Sequence, residues 1–180
     1  GQARRFSCRQ EKHHLGEKRC SVPLESCTAL DQGADYLIRN GLAREISREQ
    51  MLELVERSRA LGLVMNADNV RSRGTFICHC CSCCCNLLLG LTRFGCPSTV
   101  VTSNFVAAVD PASCDDCGRC VRACPVKAIT AGAEAAGAEA AGAGELRLAN
   151  ASREPPVGAR GAGRPSVDAD VCLGCGVCVT

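Results

Sequence analysis

Cys114-Asp115-Asp116-Cys117-Gly118-Arg119-Cys120-Val121-Arg122-Ala123-Cys124-Pro125 is the stretch that decides how this chain is read. Thiolates at every third residue let one tight loop wrap three corners of a cubane iron–sulfur cluster, and a fourth Cys followed by Pro leaves that loop to serve a second cluster. The spacing recurs at Cys172-x2-Cys175-x2-Cys178. A zinc knuckle also spaces its ligands by two residues, but it contributes two per knuckle, whereas here three equally spaced Cys occur twice. Gly118 and Gly176 fit the iron–sulfur reading, because backbone without a Cβ can approach a cluster and donate N–H groups to its sulfurs. The pattern points to electron transfer.

Composition agrees with metal–sulfur bonds as a source of order. The 180 residues are 46% hydrophobic, yet that share includes 17 Cys, with only four Phe, one Tyr and no Trp. Metal binding would then contribute folding energy. A net charge of +2 and few aromatics argue against a nucleic-acid partner. No secretory leader opens the chain, and its purely apolar runs, such as Leu87–Leu89, are too short to span a bilayer. A soluble, cytoplasmic protein with protein redox partners is expected. The odd Cys count and the adjacent pairs Cys80–Cys81 and Cys83–Cys84–Cys85 fit reduced, metal-binding thiols better than a disulfide scaffold. Gly1 at the start and a motif still running at Val179–Thr180 suggest a fragment, incomplete at both ends.

Along the chain, residues 1–30 suggest an irregular, metal-pinned loop. Ala34, Leu37 and Ile38 recur at helical spacing before Gly41, a good residue to end a helix. Ser47 to Gln50 is a capping box, with Met51, Leu54, Val55 and Leu61 marking one face of the helix that follows. Thr75–Ile77 predicts a short strand, and Leu87–Leu91 a helical turn or two. Phe105–Val109 and Val167–Val171 predict equivalent strands feeding Cys114 and Cys172, with a helix over Gly118–Ala123 and a return strand over Lys127–Thr130. Residues 131–165, rich in Ala, Gly, Pro and Arg, read as a flexible low-complexity insertion.

Cys114 to Pro125 and Cys172 to Cys178 together resemble the bacterial-type two-[4Fe–4S] ferredoxin module, over roughly 105–130 and 167–180. The resemblance implies an α+β fold: a ferredoxin-like βαβ-repeat module over 105–180, here preceded by a small helical, Cys-rich domain over 1–104. It implies two [4Fe–4S] clusters. Cys124, Cys172, Cys175 and Cys178 would hold one, and Cys114, Cys117 and Cys120 three corners of the other, whose fourth ligand would lie past Thr180. The upstream half is similar to ferredoxin-containing proteins of anaerobic bacteria in which a Cys-x-Cys-Arg stretch and a His-x-Gly region lead into a Cys-x-Cys-Cys-x-Cys-Cys-Cys run. Cys8-Arg9, His14-Leu15-Gly16, Cys20, Cys27 and the run Cys78 to Cys85 carry that likeness, while Phe6 stands where the pattern has Cys.

Six Cys within eight residues cannot all bind one ion, because neighbouring side chains diverge along a backbone. Some of Cys78, Cys80, Cys81, Cys83, Cys84 and Cys85 are therefore expected to join Cys8, Cys20 and Cys27 around an additional iron–sulfur cluster, or zinc, or to form a redox-active thiol site. His13, His14 and His79 are weaker metal candidates. Asp115, Asp116, Arg119 and Arg122 read as a solvated rim, and Cys96 as a buried free thiol. The leading functional expectation is an electron-transfer protein or subunit; the alternative is an oxidoreductase using the upstream thiols.

Overall fold

The computed structural model describes residues 2–5, 7–96, 99–132 and 164–179. Phe6, Pro97 and all but the two ends of the expected insertion at 131–165 lie outside the described residues.

The upstream half is a mixed α+β unit. Its elements are β1 (Gln2–Arg5), α1 (Ser7–His14), β2 (Glu25–Ala29), α2 (Asp31–Arg39), β3 (Ala43–Glu45), α3 (Arg48–Ala60), β4 (Val64–Ala67), β5 (Phe76–Cys80) and α4 (Asn86–Phe94). The strands form one antiparallel sheet in the order β3-β1-β2-β5-β4. This corrects the expectation of a small helical domain and of an irregular loop over the first thirty residues. The missed strands are short and carry small or polar residues. In β2, Ser26, Cys27, Thr28 and Ala29 are all buried, so there is no alternation of apolar and polar residues to read.

The helices follow their local signals. At α3, the Ser47 hydroxyl accepts from the Gln50 amide and the Gln50 side chain accepts from the Ser47 amide, closing the capping box. Met51, Leu54 and Val55 are half-buried, Leu61 is exposed, and Ser58 is the residue of α3 that is fully buried. Gly41 takes the left-handed conformation after α2, with φ +66°.

The downstream elements are α5 (Arg119–Ala123), β6 (Ile129–Thr130), β7 (Ser166–Val167) and a 3-10 turn (Val177–Val179). β6 and β7 pair antiparallel, and α5 packs against the 3-10 turn. Phe105–Val109 forms no strand. It is irregular, with Phe105 and Val106 exposed, and is tied down instead by the Ser103 amide donating to the Leu173 carbonyl and by the Ser103 hydroxyl donating to that of Gly174. The strand expected over Val167–Val171 stops at Val167, because Asp168 turns the chain by accepting from the amides of Asp170 and Val171. Asp110 makes the same kind of turn, accepting from Ala112 and Ser113. Each aspartate stands four residues before the first Cys of its motif, so the internal repeat begins earlier than the cysteines show.

One core joins the two halves. Leu88, with no exposed surface, packs in a cluster that takes Cys27, Val64, Cys78, Cys80 and Cys85 from the upstream sheet and its following turn, and Val126, Ala128, Cys172, Leu173 and Val177 from downstream. No helix of the described residues is long and apolar enough to cross a membrane.

Leu88→Ala should lower unfolding free energy by about 2–5 kcal/mol, the usual cost of emptying a closed leucine site, measured by chemical denaturation under anaerobic conditions. Gly174→Ala should also destabilise. Gly174 has φ +62°, and a Cβ there would lie 2.1 Å from the Phe105 carbonyl oxygen. The left-handed strain alone is on the order of 1–3 kcal/mol. Hydrogen exchange at the Ser103 amide should accelerate markedly in this variant if the clash lifts that segment away.

Candidate metal centres

The described cysteines fall into distinct settings, set by the elements that carry them. Cys124 follows α5, where Pro125 stops the chain from continuing the helix, and Cys172, Cys175 and Cys178 lie on the loop after β7. All four line one cavity of about 310 Å³ whose wall is otherwise largely apolar, with Phe105, Pro125 and Val126 among its lining. Their sulfurs are not gathered within 4.8 Å of one another. A polynuclear cluster suits this arrangement, since each thiolate caps a different iron and the sulfurs must stand apart. Backbone amides point at two of them: Ala128 donates to the Cys124 Sγ at 3.2 Å and Ala107 to the Cys172 Sγ at 3.5 Å. Such N–H···S bonds stabilise the reduced form and tune potential. Partial desolvation at the cavity pushes the half-buried Cys178 thiol up and, although its surface is exposed, that of Cys175, and the neighbouring cysteines of the same group push the same way.

Cys114 and Cys117 occupy the companion loop and Cys120 the first turn of α5; Cys117 is exposed and the other two are half-buried. Gly118, with φ +67°, precedes α5 and turns the loop into it. Arg119 is more than part of a solvated rim, because its Nε donates to the Cys117 Sγ at 3.3 Å. Asp115, Asp116 and Arg122 are exposed.

Upstream, the structure separates what the sequence runs together. Cys78 and Cys80 alternate with His79 along β5 and so share a face of the sheet. They line up with Cys27 of β2 and with Cys85, whose sulfur lies 3.1 Å from that of Cys80. Hydrogen bonding along this row divides the thiols: a bond from Cys78 holds the Cys27 thiol below its ordinary value, while Cys78 and Cys80 are each pushed up to about 12 by the cysteine next in line.

Cys81, Cys83 and Cys84 belong to a second group with Cys20, all four sulfurs lying within 4.8 Å of one another. A tight turn makes this possible. The amides of Cys84 and Cys85 both donate to the Cys81 carbonyl, curling residues 81–85 so that adjacent side chains converge before α4 begins. Val22 and Leu63 pack around these sulfurs. Cys8, on α1, is half-buried and outside this group.

Arg9 supplies charge beside it. Only 4% exposed, its guanidinium donates to the carbonyls of Pro23 and His79, to the Ser26 hydroxyl and to the Cys81 Sγ at 3.7 Å. Burial works against its charge, but Cys81, Cys27 and Cys20 outweigh this and hold its pKa above the ordinary value. Among the described residues no carboxylate forms an ion pair with it. The sequence offered a signal for this residue only in its place beside Cys8. His79 is fully buried, and burial, helped by Arg9, depresses it to about 4, so it stays neutral; neither ring nitrogen has a partner among the described residues. His13 and His14 are exposed on α1. Cys96 is exposed, not buried as expected, because it follows the left-handed Gly95 that ends α4.

Comparison with known proteins bears on the downstream half. No curated protein and no solved structure matches the chain. Residues 113–180 match the family model of the 4Fe-4S dicluster domain, so this chain carries a 4Fe–4S, ferredoxin-like module with an iron–sulfur electron-transfer role.

Proposed function

We propose that this protein is an electron carrier or electron-transfer subunit that holds two [4Fe–4S] clusters and passes low-potential electrons between protein redox partners. Residues 105–180 form the electron-carrying unit, built as a ferredoxin-like repeat, and residues 1–104 a Cys-rich unit packed on it. Cys124, Cys172, Cys175 and Cys178 hold one cluster, and Cys114, Cys117 and Cys120 provide three ligands to the other. The cavity lined by the first four sulfurs is the observation that carries this reading. The clusters supply one-electron chemistry. The protein's part is to exclude water with Val126, Ile129 and Leu173, to direct amides at sulfur, and to leave the Cys114 loop at the surface where a partner can approach.

Anaerobic reconstitution with iron and sulfide should load about eight iron per chain into this module, as expected for two cubanes, and EPR of the reduced protein should show two interacting spins. Cys175→Ser should remove or convert one of them and leave the other. A protein that takes up no sulfide-bound iron, or that cannot be reduced and reoxidised reversibly, contradicts the proposal.

One observation favours a second reading, an oxidoreductase that uses upstream thiols: the Cys80 and Cys85 sulfurs are 3.1 Å apart. Mild oxidation should then consume that thiol pair in the wild-type chain and spare it in Cys85→Ser, as read by thiol counting after unfolding. An unchanged thiol count in the wild type would remove the reading.

A further inference from the structure

We propose that Cys20, Cys81, Cys83 and Cys84 bind a single zinc ion as a closed, structural tetrathiolate site, separate from the iron–sulfur module. The distances select the nuclearity. A zinc–sulfur bond of about 2.3 Å in a tetrahedron places ligand sulfurs about 3.8 Å apart. The Cys20–Cys81, Cys20–Cys84, Cys81–Cys83 and Cys83–Cys84 sulfurs are separated by 3.7, 4.0, 3.9 and 3.4 Å. The two remaining pairs lie within 4.8 Å. A cubane cannot use such a set, because its four thiolates radiate from four different irons and stand farther apart than the irons themselves. The wider arrangement of Cys124, Cys172, Cys175 and Cys178 within the same molecule shows the contrast.

Charge supplies a second, independent argument. A divalent ion with four thiolates carries a net charge of about −2, and a buried cation requires a counter-charge. Arg9 is buried with its guanidinium on the Cys81 sulfur and has no carboxylate partner among the described residues. The Lys18 ammonium donates to the Cys20 carbonyl. Two cations thus contact this group, and four neutral thiols would leave the buried Arg9 with hydrogen bonds but no counter-charge from it.

Zinc is preferred to iron at these residues because a given sulfur site binds it more tightly than Fe²⁺, and because four protein ligands leave no open position for chemistry. Its effect is mechanical. Residues 15–24 have no helix or strand of their own, and Cys20 is the point at which a metal would tie them to the turn after β5. Cys20, Cys81 and Cys83 border a cavity of about 260 Å³ that reaches Arg122, Cys124 and Pro125, so the zinc-pinned loop also forms part of the seat for the iron–sulfur module. Cys27, Cys78, Cys80 and Cys85, on the neighbouring face, take no part.

The 180-residue chain, purified anaerobically, should contain one zinc per chain by elemental analysis whatever its iron content. Zinc-edge X-ray absorption should show four sulfurs at about 2.3 Å. Replacement by Co²⁺ should give the intense visible bands of a tetrahedral thiolate complex. Cys20→Ser and Cys83→Ser should each lower zinc affinity by tenfold or more, while Cys96→Ser should leave zinc unchanged. If the serine variants fail to fold, the absorption and cobalt spectra of the wild-type chain still decide the matter. Zinc bound through nitrogen or oxygen, no zinc above trace, or iron in this site would each overturn the assignment. Failure of the electron-transfer proposal would appear instead as missing sulfide-bound iron with zinc intact.

Discussion

Sulfur shares the core of this protein with leucine, isoleucine and valine, and much of the architecture follows from how those buried thiols are accommodated. Among the described residues the largest fully buried side chains are Leu88, His79, Thr28, Cys84 and Ser58, a set in which only Leu88 brings a sizeable hydrocarbon surface. Thiols pack as small apolar groups, but each contributes far less burial than a leucine. They also resist losing a proton where a neighbouring thiol bonds to them and burial adds to the effect, as at Cys78 and Cys80. An interior of this kind is stabilised best when its sulfurs are ionised and shared by metal, which couples folding to metal loading.

Arg9 shows the coupling from the other side. A guanidinium with 4% exposure is costly unless negative charge meets it, and the groups that meet it are cysteines from three separate stretches of chain. Its hydrogen bonds tie α1 to the Pro23–Ser26 segment and to β5 at once. One buried cation therefore holds together the helix, the sheet and the thiol group, while the shared core around Leu88 fastens that assembly to the iron–sulfur module.

The parts that could be read locally were those governed by short-range chemistry. Ser47 and Gln50 announce α3 because a capping box is completed within four residues, and Gly41 ends α2 because its left-handed backbone needs no distant partner. The sheet was not readable in this way. β1 and β2 pair across the intervening residues 6–24, and their small or charged residues carry no alternating pattern to announce them. Phe105–Val109 failed for the opposite reason: its composition favours a strand, yet the Phe105 amide donates to the Ser103 hydroxyl and the Ala107 amide to the Cys172 Sγ, so no ladder forms there.

By itself, the sequence determined the iron–sulfur chemistry of residues 113–180, because a loop that presents a thiolate every third residue encodes its ligand geometry in spacing alone. The tertiary structure alone decided how the upstream cysteines divide. Residues 78 to 85 read as one run, but a strand alternates its side chains and a turn gathers them. Cys78 and Cys80 consequently join Cys27 and Cys85, while Cys81, Cys83 and Cys84 curl towards Cys20, some sixty residues earlier in the chain. Which thiols meet depends on strand register and turn direction, and both are set by hydrogen bonds between segments that sequence spacing does not connect.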